Sequence, residues 1–249
     1  MLGTAGLALV ILPIAGLVGR VPWSRAGDVL SSDGALTALA LSLRVSTSAA
    51  LLALVLGFPL AWVLARPPFP GQSLVRAVVV LPLVLPPVVG GVALLAALGR
   101  RGVVGGVLAD LGVGLPFTTA GAVVAATFVC FPLLVLAIEG GLSSLDRRLE
   151  QAAATLGASA WYTLRRVTLP LLRPQIVAGL VLAWARALGE FGATITFAGN
   201  LRGRTQTLPL AVYETLQSDP ASAIALSLIL VVLSLTVLVA LRGRFLAAR

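Results

Sequence analysis

The 249-residue chain contains no histidine, no lysine and a single cysteine, Cys130. Each absence removes a class of chemistry. Without His there is no imidazole proton shuttle, and one Cys cannot build a disulfide framework or a Cys/His metal site. Without Lys there is no P-loop, whose Lys must reach the nucleotide phosphates. Any ATP chemistry is therefore expected from a partner, and this chain is expected to be no enzyme and to bind no cofactor or metal. Charge is scarce as well. Only 11% of the residues are charged, against about 25% in an average soluble domain.

Apolar residues fill the space: 59% of the chain is hydrophobic and the mean hydropathy is +1.05. Such a chain cannot cover a water-facing surface, so lipid is the remaining solvent. Cys130 lies in an apolar run and reads as a small buried hydrophobe. The expected fold class is an all-α integral membrane protein, a single domain over residues 1–249. A spanning helix needs about 20 mostly apolar residues. Six candidates fit, at about Thr4–Val18, Ala35–Ala65, Val75–Leu98, Thr119–Ile138, Gln175–Phe197 and Ala221–Leu241. The first has no basic leading region and no clear cleavage site, so it reads as a span and not as a signal peptide.

All 18 basic residues are Arg, and the net charge is +9. On a soluble protein that would suggest nucleic acid. Here the Arg residues sit mainly between apolar segments, which membrane topology explains without a nucleic-acid partner. With the polar segment Glu139–Arg173 placed in the cytoplasm, six spans put both termini inside. The inner side then holds ten Arg (66, 76, 147, 148, 165, 166, 173, 242, 244 and 249) and the outer side six (20, 25, 100, 101, 202 and 204). Cytoplasmic loops carry the excess of positive charge, so the bias favours this orientation. Arg44 and Arg186 lie within spans; Arg44 is assigned no role.

The Glu139–Arg173 segment carries most of the functional information. It starts with helix formers at Leu149–Ala154, Gly157 then permits a sharp turn or left-handed cap, and a second amphipathic stretch runs to Pro170, which is expected to end it. The expectation is a short helix, a turn and another short helix.

Those residues resemble the EAA loop of ABC-importer permeases: Glu-Ala-Ala, three residues, Gly, nine residues, an aliphatic residue, any residue, then Leu-Pro. Gly157 and Val167-Thr168-Leu169-Pro170 fit that spacing, and Gln151-Ala152-Ala153 stand at the Glu-Ala-Ala positions, with the Glu one place early at Glu150. The segments Leu81–Gly90, Leu98–Gly102, Ala185–Phe197 and Thr205–Leu210 are similar to molybdate permease subunits, and the third is shared in outline with tungstate and sulfate permeases. The resemblance implies a multi-pass protein of the bacterial cell membrane, paired with a second copy of itself. It also implies two cytoplasmic ATP-binding subunits and an extracytoplasmic oxyanion-binding protein that holds most of the selectivity. The implied cargo is molybdate, with tungstate or sulfate as alternatives. Other classes remain open: an autonomous secondary transporter or channel, and an assembly factor. In this reading Glu150, Gln151, Ala152, Ala153, Gly157, Leu169 and Pro170 couple the chain to the ATPase.

Pathway candidates come from irregularities at membrane depth. Pro82, Pro86 and Pro87 lack an N–H and are expected to break or kink the third span, either to line a pathway or only for packing. Arg186 lies about 18 Å beyond Pro174, near mid-membrane. With Glu190 it forms either a gate or interface element, or a self-neutralised couple on one helix face. Gly189 and Gly192 beside the pair allow close helix approach or hinging. Thr194 and Thr196 offer hydroxyls to an oxyanion, or bond back to their own helix.

Overall fold

The computed structural model describes residues 2–245. Arg249, counted above for the inner side, lies outside them. Among the described residues all regular structure is helical. The elements are α1 (Leu2–Gly19), α2 (Trp23–Leu30), α3 (Asp33–Leu64), α4 (Gln72–Val84), α5 (Pro87–Leu98), α6 (Gly105–Asp110), α7 (Thr119–Ser144), α8 (Arg147–Thr155), α9 (Ala160–Thr163), a π-turn (Leu164–Thr168), α10 (Leu169–Leu188), α11 (Gly192–Phe197), α12 (Leu208–Ser218) and α13 (Pro220–Phe245). Four helices are each long and apolar enough to cross a membrane: α3, α7, the continuous Ala160–Leu188 helix and α13. Two bent pairs, α1–α2 at 87° and α4–α5 at 119°, bring the number to six if each is one span.

Local chemistry explains the boundaries. Ser32 caps α3 by accepting from the Ala35 N–H at 3.3 Å, and Thr118 caps α7 by accepting from the Gly121 N–H at 3.0 Å. Small residues then let the long helices approach. The core around the α3–α7 seam includes Ala49, Ala53 and Ala61 of α3 and Ala122 and Ala126 of α7. A Cβ on Gly179 of α10 would fall 2.9 Å from the Ala137 Cβ, and one on Gly141 of α7 would fall 2.8 Å from the Gln175 Cγ. Close packing of this kind replaces the hydrophobic driving force that lipid cannot supply.

Four expectations about boundaries are corrected. The polar segment does not begin at Glu139, because α7 continues to Ser144 with Glu139 buried. Nor does Pro170 end a helix. The Leu169 N–H reaches back to the Leu164 carbonyl, an i→i−5 bond, so a π-turn takes up the register and α9 runs unbroken into α10. The segment off the bundle is therefore residues 145–159, and Arg173 lies inside α10. In the third span, Pro82 sits within α4 and the break falls after it. Leu85 and Pro86 each precede a proline, both are extended, and Pro87 restarts the helix at its first position. The bent pair still joins the two ends of the bundle: α4 starts beside the end of α3, and α5 finishes against Leu115 and Val124 near the start of α7. The fifth span is broken too, at Gly189–Phe191, and does not run straight to Phe197.

Candidate functional site

Two clusters gather most of the residues singled out above. The first lies at the end of the bundle where α3 and α7 finish. The last carbonyls of α3 have no helical partner. Gln72 Nε2 and Arg76 Nη2 donate to the Leu64 carbonyl at 2.8 and 2.9 Å, and Arg147 Nη2 donates to that of Ala65 at 3.0 Å. Arg76 Nε also donates to Glu139 Oε1 at 2.6 Å. That contact explains how an acid is buried in α7: its charge is paired and hydrogen-bonded.

α8 is tied to this cluster through Glu150. Its Oε2 pairs with Arg66 Nη1 at 3.3 Å, and its Oε1 accepts from Thr168 Oγ1 at 2.8 Å. The displaced Glu is thus spent inside the chain, bridging the α3–α4 turn and the π-turn. Arg66 in turn lies over the Trp62 ring, 4.1 Å from its centroid. Gln151 and Ala152 remain exposed, and Ala153 is half-buried. Gly157 adopts φ +83°, and the bonds from Gly157 N–H to Ala154 O (2.9 Å) and from Ala158 N–H to Ala153 O (3.0 Å) close α8 in a Schellman motif. Ser159 opens α9 by accepting from the Tyr162 N–H at 3.2 Å. The outcome is a short helix, a left-handed glycine turn and a second helix. Leu149, Leu156, Trp161 and Tyr162 are exposed on it, Leu156 at 88%. Leu169 and Pro170 lie on the helix that carries this element back to the bundle.

Arg66, Gln72, Arg76, Arg147 and Thr168 were not singled out from the sequence. The available signal was Glu139, an acid at the end of an apolar run that needed a cation. Arg76→Ala should leave Glu139 buried without its donor and remove one donor from Leu64. We expect a loss of about 2 kcal/mol in stability, read as a lower melting temperature of the detergent-solubilised protein.

The second cluster is where the two broken spans meet. Arg186 closes α10, and its Nη1 donates to Glu190 Oε2 at 2.7 Å. Glu190 does not continue the α10 face; it sits in the break, 2% exposed, and its Oε1 accepts from the Ala193 N–H at 2.8 Å. One carboxylate therefore neutralises an Arg and satisfies the start of α11. Gly192 makes the contact between breaks. A Cβ there would fall 2.6 Å from the Pro87 Cβ and 3.3 Å from the Val88 N. On the same face, a Cβ on Gly91 would fall 2.6 Å from the Thr196 Cβ. Gly189 differs: the only atom near its added Cβ is the Ala185 carbonyl at 3.8 Å, so close approach is not its reason. Thr194 is buried, and the Thr196 hydroxyl bonds back to the Gly192 carbonyl at 2.8 Å. Pro86 and Pro87 thus belong to the cluster, whereas Pro82 lines an apolar groove of about 690 Å³ with Leu52, Val78 and Phe131.

A third polar group sits at the far end of the bundle. Glu214 of α12 accepts from Arg202 and Asn200, both at 2.8 Å, and from Gln206. The Arg202 hydrogen bond is the main cause holding its carboxyl below the usual carboxylate range; partial burial opposes this, and Asn200 and Gln206 reinforce it. Ser42 of α3 accepts the Leu208 N–H at 2.6 Å and fixes the start of α12.

The family model for the binding-protein-dependent transport system inner membrane component matches residues 53–249. The molybdenum transport system permease protein ModB of Mycobacterium bovis is 45% identical over 240 residues, covering 96% of this chain and 91% of that protein. The ModB of Haemophilus influenzae is 50% identical over 209 residues, covering 80% and 91%. Among solved structures, a bacterial ABC transporter involved in the import of alginate aligns with a TM-score of 0.77 over 100% of this chain and 94% of its own, at 20% identity, which bears on the fold alone. A match over most of the chain, relatives this similar and a shared helical architecture agree: the chain belongs to the family of inner membrane components of binding-protein-dependent transport systems.

Proposed function

We propose that this chain is the membrane-spanning permease subunit of an ATP-driven importer, and that its cargo is molybdate. The observation that carries the reading is the 45–50% identity to permeases named for molybdenum transport over most of the chain. The exposed α8–α9 element supports the ATP-driven part. Its apolar side chains stand outside the bundle on a rigid turn, a shape suited to the groove of a soluble subunit. In the assembled machine two copies enclose the pathway, two partner subunits hydrolyse ATP in the cytoplasm, and an extracytoplasmic protein delivers the oxyanion. The α8–α9 end then faces the cytoplasm, with both termini on that side.

The geometry supplies two routes for the partner's movement. Glu150 links α8 to the α3–α4 turn through Arg66, and that turn leads into the first broken span. The unbroken Ala160–Leu188 helix leads to the second. The two routes converge where Gly192 meets Pro87. Displacing the α8–α9 element moves both breaks together, which opens the pathway to one side and closes it to the other.

The test is uptake by proteoliposomes holding this chain with its candidate ATPase and a loaded binding protein. Molybdate should enter only with ATP and all three components. Uptake by this chain alone under an ion gradient would establish an autonomous transporter instead. Sulfate uptake without molybdate uptake would overturn the cargo.

A further inference from the structure

α3 carries an exposed stripe that is polar over one turn, Arg44 to Ser48, and apolar on either side. Leu36 and Ala40 are exposed nearest Asp33, Arg44, Thr47 and Ser48 follow them, and Leu51 and Val55 are exposed toward Leu64. Spacings of three and four put these residues on one face. Arg44 lies about 16 Å along the helix from Asp33, on a span that is otherwise apolar. Arg186 also lies within a span, away from the α8–α9 end. Arg186 is neutralised by Glu190. Arg44 has no carboxylate within ion-pair distance among the described residues. α10 flanks the stripe, because Trp184 Nε1 donates to Thr47 Oγ1 at 3.2 Å.

An unpaired guanidinium is costly against hydrocarbon, and such residues face a bundle interior or a water-filled cavity. The two hydroxyls one turn away fit a wet face, and the leucine and valine below do not. We infer that Arg44, with Thr47 and Ser48, forms a weak transit subsite for a tetrahedral oxyanion in the half of the pathway away from the α8–α9 element. The inference rests on the import reading above. Guanidinium presents its donors as a planar fork that matches two oxygens of one anion, and the hydroxyls donate to the others. The Leu51–Val55 surface offers a dianion nothing, so the anion pauses at Arg44 until the lower half of the pathway opens. The open hydroxyl-lined geometry makes the site weak, as transit requires.

A lipid phosphate has the same tetrahedral chemistry, and the experiment separates the two sources. In proteoliposomes holding the complete transporter, Arg44→Gln should lower molybdate uptake about tenfold, for loss of a charge-assisted contact. Arg44→Lys should stay within about threefold of the wild type, because charge is kept and only the fork is lost. A second measurement does not depend on the Arg44 variants assembling. Ser48→Cys, in a chain whose buried Cys130 is replaced by Ala, is exposed to membrane-impermeant thiol reagents of equal size and opposite charge. The anionic reagent should react faster than the cationic one, molybdate should slow it, and adding Arg44→Gln should remove the preference. Wild-type uptake by Arg44→Gln would overturn the subsite. So would a residue-48 thiol that neither reagent reaches or that molybdate does not protect, which would assign Arg44 to lipid phosphate or to a subunit contact. If the wild-type complex imports no molybdate at all, the import reading fails and not this one.

Discussion

Replacing Gly192 by valine should abolish uptake, lowering it by a factor of about 100 or more and costing about 3 kcal/mol of stability by overpacking. The cause is the contact between the two broken spans. A Cβ at Gly192 would meet the Pro87 Cβ at 2.6 Å and the Val88 N at 3.3 Å, and neither is the far end of a flexible side chain. α5 and α11 would have to separate, and the Gly91–Thr196 approach on the same face would open with them. Uptake assays and thermal melts of the purified complex read both effects. Gly189→Ala supplies the contrast three residues away. Its φ is −86° and no neighbour lies closer than 3.8 Å, so uptake should stay within about twofold of the wild type. Equal damage from the two substitutions would show that hinging, not close approach, is what these glycines provide.

Uncoupling is the expected result of Gly157→Pro. Proline holds φ near about −65°, whereas Gly157 sits at +83° and donates its N–H to the Ala154 carbonyl. The Schellman closure is lost on both counts, and α8 and α9 no longer meet at a fixed angle. The bundle should be spared, because α8 has no buried residue. ATP hydrolysis by the assembled complex should therefore persist while molybdate uptake falls about 100-fold or more, with a melting temperature close to wild type. Gly157→Asn should be milder, since Asn tolerates the left-handed region better than other side chains. Normal uptake in the proline variant would remove the turn from the coupling route.

These two glycine sites show where reading residues succeeds and where it stops. Gly157 was legible because the demand is local: a helix that must reverse after helix formers needs a left-handed residue, and Gly adopts it freely. Gly189 and Gly192 look equivalent in the chain, and only the packing of Pro87 separates them. Local rules also overreached. They ended the helix at Pro170, but a single π-turn accommodates the missing N–H and the helix continues. They assigned the break of the third span to Pro82, Pro86 and Pro87 alike; the break is there at Leu85–Pro86, but Pro82 stays inside α4. They placed Glu139 in a polar segment, because its partner Arg76 is 63 residues away and no local signal names it. Long apolar runs were visible from composition: α3 lies within two residues of its expected bounds, and α13 starts one residue before its expected start and runs four beyond its expected end. Pairing across the bundle was not, and the cluster around Leu64, Arg76 and Glu139 is made of little else.

The π-turn has a mechanical consequence. By admitting one extra residue without a kink, it makes Ala160–Leu188 a single 29-residue rod, about 43 Å long. One tip stands outside the bundle and the other carries Arg186. A rod pivoting at its foot by five degrees moves its far tip by nearly 4 Å. Glu190 joins the rod to α11: its N–H donates to the Ala187 carbonyl at 3.2 Å, and its Oε1 accepts from the Ala193 N–H at 2.8 Å. A lever stroke of that size carries the Arg186–Glu190 pair with it, so a small tilt at one membrane face is enough to push on the start of α11 deep in the other half of the protein.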